Sequence, residues 1–290
     1  MEFNNGTADQ MWVIGGWDGG ANLYSNVYSS KDGASWTVTS STDFPARYGH
    51  SSVVYTTAKN GSAMYLIDGM GSTGVLSDVW HSLGGTWTQD SPPAFPARYY
   101  QSSVTMNGGN GNAMWVLGGN DPVNKKVLND VWNTLDTLTW SNVAQKTPFP
   151  ARERQASVEF ANALGLPTMY LIGGDDPYGG SIYGDVYSST DGSAWTLVTG
   201  SPAFGKRYGM TAVALGTSAI MVMGGTDGTQ VFDDAWSSTD YGATWKNVTT
   251  DLTAVPRYGH TAVYFNSIPW VFGGFEKLTN GIPMNDVWHQ

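Results

Sequence analysis

Five of the six arginines in this chain stand at matching points of a repeating pattern: Arg47, Arg98, Arg152, Arg207 and Arg257. Four are followed by a tyrosine, Tyr48, Tyr99, Tyr208 and Tyr258, whereas Arg152 is followed by Glu153 and the sixth arginine, Arg154. A guanidinium stays charged and presents a planar fork that grips a carboxylate at two points, and a neighbouring phenol adds stacking and a hydroxyl. Together these ten side chains predict a cationic, aromatic surface for an acidic protein segment or a glycan. The same residues have an internal use: each arginine can tie its loop to backbone carbonyls of the next repeat. The segment Arg152-Glu153-Arg154-Gln155 breaks the pattern and adds a charge pair.

Other chemistry is thin. His50 lies in register with His260, and His81 with His289, each pair split between repeats and without a second ligand at metal spacing. Acids gather after short apolar runs, at Asp18, Asp121, Asp175, Asp176, Asp227 and Glu276. Asp175-Asp176-Pro177-Tyr178-Gly179-Gly180 is dense in oxygens but lacks the periodicity of a calcium loop, so a solvated turn is expected. These loops, with Trp17, Tyr178 and Phe275, offer a second rim for sugar or protein. The chain has no cysteine, which removes disulfides, thiol catalysis and thiolate metal sites. No catalytic residue, metal ligand or cofactor is assigned.

A net charge of −10 argues against nucleic acid, whose phosphates require a basic surface. No run of 18 apolar residues occurs, so no membrane span is expected. No cationic and then apolar leader is read at the start of the sequence, and the compartment, cytoplasmic or secreted, stays open. Asn5, Asn60 and Asn247 open N-x-Ser/Thr triplets, a pattern that arises often by chance in such loops.

What must position these residues is a repeat. MWVIGG, MYLIDG, MWVLGG, MYLIGG, IMVMGG and PWVFGG end at Gly16, Gly69, Gly119, Gly174, Gly225 and Gly274, at spacings of 53, 50, 55, 51 and 49 residues. A fixed period of that size means one supersecondary unit stacked many times. Each unit divides into four strand-like segments. The first follows the arginine: Ser51–Tyr55, Ser102–Met106, Ala156–Phe160, Thr211–Leu215 and Thr261–Phe265, with small residues suited to a crowded inner edge. The second is the apolar run. The third carries an acidic or small residue before Val-Trp or Val-Tyr, as in NVYSS, DVWHS, DVWNT, DVYSS, DAWSS and DVWHQ. The fourth centres on Trp36, Trp87, Trp140, Trp195 or Trp245.

Glycine pair, third-strand Tyr or Trp and spaced Trp together resemble the kelch repeat, whose blade is also that of galactose oxidase central domains. The resemblance spans nearly all 290 residues. It implies an all-β, six-bladed β-propeller of four-stranded blades, near 1-42, 43-91, 92-145, 146-201, 202-251 and 252-290. In such a ring the arginines and tyrosines would surround the mouth of a central channel, a face that kelch proteins often use for acidic peptides. The iron pattern of nitrile-specifier kelch proteins is missing, and the Cys–Tyr copper site of galactose oxidase is impossible here.

Ser238, Asp240, Gly242, Thr244 and Trp245 are similar to the Asp-box of sialidases, and Ser30–Trp36 and Ser189–Trp195 are one residue shorter. Gly84-Gly85 before Trp87 and Thr137-Leu138 before Trp140 depart further. In those families the element is structural. Met1-Glu2-Phe3 aligns with Val158-Glu159-Phe160 as a first strand, and Asn285–Gln290 is a third strand with no fourth after it. The last blade thus lacks its outer strand, which flanking repeats, the N-terminal residues or self-association would supply.

The leading expectation is a non-enzymatic module binding a protein segment or glycan. The rivals are a glycan-processing, glycosidase- or sialidase-like enzyme and an architectural unit of a longer surface or filament protein. A sialidase-like site fits poorly, since five arginines share one register and only four glutamates exist.

Overall fold

The computed structural model describes residues 1–40, 42–107, 111–249, 255–276, 278 and 281–289. The boundary expected between 251 and 252, and Gln290, lie outside the described residues. The chain divides into two compact units, Met1–Gln145 and Lys146–Gln290. Among the described residues there is no helix, and each unit is built from antiparallel sheets whose strands follow chain order.

In the first unit the first sheet comprises Glu2–Asn4, Asp9–Trp17, Leu23–Ser30 and Thr37–Ser40. The second comprises Ser51–Thr57, Gly61–Ile67, Val79–Ser82 and Trp87–Gln89. The third comprises Ser102–Asn107, Asn112–Asp121, Lys126–Thr134 and Ser141–Ala144. In the second unit the fourth sheet comprises Ala156–Glu159, Met169–Asp176, Ser181–Ser189 and Thr196–Thr199. The fifth comprises Thr211–Leu215, Ala219–Met223, Ala235–Ser238 and Lys246–Asn247. The sixth has three strands, Thr261–Phe265, Ile268–Phe272 and Val287–His289. Such four-stranded antiparallel sheets fit the blades of a β-propeller. Glu2–Asn4 pairs with Asp9–Met11, so the N-terminal residues form the first strand of the first sheet.

The second strands are near-continuous apolar runs because both of their faces are covered. Phe3, Trp12, Ile14, Met64, Leu66 and Trp87 fill the space between the first and second sheets. Tyr55, Tyr65, Ile67, Met114, Val116 and Trp140 do so between the second and third. In the second unit Tyr170, Ile172, Ile220, Val222 and Trp245 join the fourth sheet to the fifth. Val213, Met221, Met223 and Val271 join the fifth to the sixth. Truncating one such buried aromatic to Ala costs about 3–5 kcal/mol.

The second glycine of the pair is fixed by a close approach at Gly69, Gly119, Gly174, Gly225 and Gly274, though not at Gly16. Gly225 has φ +94°, and a Cβ there would stand 2.9 Å from the Tyr208 carbonyl, leaving no room for a side chain. The register shifts at these pairs, between Ile14 and Gly16, Leu117 and Gly119, and Ile172 and Gly174. One expectation needs correction. The tryptophans do not centre the fourth strands but open or precede them, as Trp195 stands before Thr196–Thr199. In Trp36, Trp195 and Trp245 the indole N–H turns back onto the hairpin, Trp195 Nε1 donating to Gly192 O at 2.9 Å, whereas the buried indole N–H groups of Trp87 and Trp140 find no such acceptor. The ring then meets a phenylalanine edge-on: Phe44–Trp87, Phe95–Trp140, Phe149–Trp195 and Phe204–Trp245 have centroids 4.8–5.4 Å apart.

Candidate functional site

The five in-register arginines are interior groups. Arg47, Arg98 and Arg152 are 0 % exposed, Arg207 1 % and Arg257 2 %. Each forks onto the aspartate that opens the third-strand motif. Arg47 meets Asp78 at 2.6 and 2.8 Å, and Arg98 meets Asp130 at 2.7 and 2.9 Å. Arg152 meets Asp185 at 2.5 and 3.1 Å, Arg207 meets Asp234 at 2.6 and 3.1 Å, and Arg257 meets Asp286 at 2.9 and 2.9 Å. Nη1 also donates to the carbonyl of the residue before the second glycine: Asp68, Gly118, Gly173, Gly224 or Gly273. Arg207 also donates to the Phe204 carbonyl. Arg47, Arg98, Arg152 and Arg207 lie 5.1–5.6 Å above Phe44, Phe95, Phe149 and Phe204 respectively.

The guanidiniums therefore do not project from their loops as the ring of charge expected from sequence. They tie three segments of their own repeat together, not the next repeat. Burial would raise the Asp130 carboxyl, yet the Arg98 fork and the Trp132 indole N–H hold it below its ordinary value.

The residues after each arginine behave differently. Two positions on, Gly49, Tyr100, Arg154, Gly209 and Gly259 have φ of +61°, +55°, +52°, +63° and +66°. That backbone is needed because these residues are linked between repeats. Tyr100 N–H donates to Gly49 O at 2.6 Å, Gly209 N–H to Arg154 O at 2.9 Å, and Gly259 N–H to Gly209 O at 2.7 Å. Three repeats meet the left-handed requirement with glycine. Tyr100 and Arg154 meet it with large side chains, which a bulky residue adopts only under constraint.

Each of those two side chains sits in a cluster. In the first unit Tyr99 and Tyr100 rings lie 4.7 Å apart, with Tyr48 at 6.1 and 5.9 Å from them. Trp17, at the exposed end of its strand, lies 5.2 Å from Tyr48. In the second unit Arg154 Nε faces Glu153 Oε1 at 2.9 Å and Asp175 Oδ1 at 3.0 Å, and its guanidinium lies 4.2 Å above the Tyr208 ring. Glu153 and Asp175 are buried and exchange both backbone hydrogen bonds, at 2.9 and 3.0 Å. Burial pushes the Asp175 carboxyl up to about 7, although Arg154 opposes the rise. Burial likewise raises the Tyr208 and Tyr258 phenols. Tyr258 packs against Phe275 at 5.8 Å.

The remaining sequence candidates take local roles. Burial lowers His50 and His260 to about 3, so both are neutral at ordinary pH. His81 Nδ1 meets Asp90 at 3.0 Å, and His289 stacks on Trp270. Asp176 Oδ1 accepts from the N–H groups of Tyr178 and Gly179, both at 3.0 Å, closing the turn after the glycine pair. In the hairpins before the tryptophans, Asp32, Asp191 and Asp240 accept backbone N–H bonds within their own turns. Asp136 does the same for Leu138 and Thr139, with Thr137 at φ +66° where other repeats place glycine. The third repeat therefore keeps this turn although its sequence departs. Asn247 is exposed, and Asn5 Oδ1 accepts from Thr7.

The aspartate partners of the arginines were not singled out from sequence. A signal was present: the five repeats that have the in-register Arg also have an Asp at the third-strand position, Asp78, Asp130, Asp185, Asp234 and Asp286. No protein-family model matches the chain. Among the described residues no helix is long and apolar enough to cross a membrane.

Proposed function

We propose that the chain is a six-bladed kelch-type β-propeller that acts as a non-enzymatic interaction module. Its ligand, a protein segment with acidic and aromatic character or a glycan, would be taken by the segments leading into the first strands. The observation that carries this reading is the pair of large side chains, Tyr100 and Arg154, at left-handed positions filled elsewhere by glycine. A scaffold role is satisfied by glycine in three repeats, so retaining Tyr and Arg there against backbone preference points to a use outside the scaffold. Tyr100 adds to a stacking surface with Trp17, Tyr48 and Tyr99. Arg154 offers a cation half-shielded by acids and a phenol.

Two variants convert the unusual repeats to the ordinary pattern. Tyr100→Gly restores the Arg-Tyr-Gly form found at Arg47, Arg207 and Arg257. Glu153→Tyr, Arg154→Gly and Asp175→Thr together reproduce Tyr208, Gly209 and Thr226 and leave no buried acid unpaired. Wild type and both variants, each with an unchanged circular dichroism spectrum, are compared by pull-down with mass spectrometry and on a glycan array. A ligand captured by wild type and lost by either folded variant supports the reading. Capture indifferent to both variants, or none at all, overturns it.

A further inference from the structure

The Arg154 cluster holds two carboxylates against one guanidinium. Arg154 Nε donates to Glu153 Oε1 at 2.9 Å and to Asp175 Oδ1 at 3.0 Å, while Nη2 donates to Asp175 Oδ2 at 2.5 Å. Both acids are buried, whereas the arginine side chain keeps 23 % of its surface in solvent. Glu153 and Asp175 form one of five bridged pairs that join the segment entering a sheet to the residue after a glycine pair. The others, Tyr48–Met70, Tyr99–Asn120, Tyr208–Thr226 and Tyr258–Phe275, contain no carboxylate. Doubled acids at this position therefore belong to the fourth sheet, where Arg154 replaces a glycine.

Asp175 is the member that can let go. The charged groups facing it are Arg154 and Glu153 from the segment entering the sheet and Asp176 on its own strand, with the Tyr208 phenol across the guanidinium. Burial pushes the Asp175 titration up to about 7; Arg154 pulls against it, and the Glu153 and Asp176 charges add to the rise. When Asp175 is ionised, these three side chains sum to −1 and the arginine fork is filled. An acidic ligand then meets occupied donors and a like charge. When Asp175 is protonated, Arg154 and Glu153 balance one to one.

We propose that Asp175 is a proton-gated clamp on Arg154: ionised, it fills the fork as a ligand carboxylate would, and protonated, it yields the fork to a carboxylate of the ligand. The clamp rests on the reading of Arg154 as a ligand contact and names the regulation of that site. Binding of an acidic segment takes up a proton and strengthens as pH falls through neutrality. The protonated fraction of Asp175 is about nine in ten at pH 6 and about one in ten at pH 8. Apparent affinity scales with the competent fraction, so binding should be about tenfold tighter at pH 6.

Two measurements on the full chain test this. Without ligand, the Arg154 side-chain Nε–H resonance, assigned by its loss in Arg154→Lys, is followed by NMR from pH 5.5 to 8.5. A shift with its midpoint near 7 is expected, absent in Asp175→Asn and in Asp175→Thr, the latter matching Thr226. Calorimetry then compares the peptide acetyl-Glu-Tyr-Glu-Tyr-Glu-amide at pH 6 and pH 8, where its own carboxylates stay ionised. The wild-type ratio should be about tenfold and should fall to about one in both variants, a comparison that cancels every other group titrating in this range. A resonance that does not titrate, a titration that persists in both variants, or equal binding at the two pH values would overturn the clamp and leave the reading of Arg154 as a ligand contact standing. Titration as expected with no peptide binding at either pH would overturn that reading and the clamp together.

Discussion

Arg98 and Asp130 meet in a two-point fork, Nη1 to Oδ1 at 2.7 Å and Nη2 to Oδ2 at 2.9 Å, with the arginine fully buried. Removing one member of such a pair leaves a charge in the interior without its counter-ion, which costs about 3–5 kcal/mol. Asp130→Ala should therefore lower the urea midpoint of the chain sharply. Asp286→Ala should lower it less, because the carboxylate of the Arg257–Asp286 pair is more open to water. Equal losses in the two variants would show that burial does not set the strength of these pairs.

That pairing also marks where sequence is informative and where it is not. The period, the four segments per repeat and the all-β class follow from spacing alone, because strand alternation and turn residues are local signals. The direction in which Arg47 points is not local. It depends on Asp78, 31 residues away, and a charged residue in a loop reads the same whether it faces solvent or the interior. The unusual φ of Tyr100 and Arg154 is likewise invisible until their backbone links to Gly49 and Gly209 are seen.

His50 and His260 make acid stability a measurable property of the fold. Burial lowers both to about 3, aided by Arg47 and Arg257 respectively, against about 6.5 in an unfolded chain. Between those values the unfolded state binds the extra protons, so stability is full above pH 6.5 and falls as pH drops toward 3. From pH 7 to 5 the loss is on the order of 2 kcal/mol per histidine. Gln101 and Gln155 occupy the same register position, and Gln101 Nε2 donates to Ile67 O at 2.9 Å. The double variant His50→Gln, His260→Gln should flatten the fall in Tm between pH 7 and 5. An unchanged slope would assign the acid sensitivity to other groups.

The hairpin aspartates should act on stability and not on binding. Asp191 Oδ1 accepts from the N–H groups of Ser193 and Ala194 at 2.8 and 2.9 Å, which holds its carboxyl below the ordinary value. Asp191→Ala removes a cap-like acceptor worth about 1 kcal/mol. A Tm drop of a few degrees with ligand capture intact is expected. Loss of capture at full stability would move the site onto these turns.

Asp68 is the one first-of-pair residue that is not glycine, and its position makes a stabilising substitution predictable. Its φ is +52°, close to the +55° to +59° of Gly15, Gly118, Gly173, Gly224 and Gly273. A left-handed backbone at a residue with a Cβ costs about 1–2 kcal/mol, and glycine relieves it. The carboxyl is also wholly buried, with Oδ1 accepting from Asp78 N–H at 3.2 Å and Oδ2 without a partner. Burial pushes its titration well above the ordinary carboxylate range, against the pull of Arg98 and Arg47. Because the folded value is raised, the wild-type chain loses stability as pH rises above about 4, where the unfolded carboxyl ionises. Asp68→Gly removes both penalties, so its Tm should exceed that of wild type and the margin should widen from pH 4 to pH 7. A margin that stays constant with pH would leave backbone relief as the whole effect. A lower Tm for the variant would mean that the Asp68 bond to Asp78 outweighs strain and burial together.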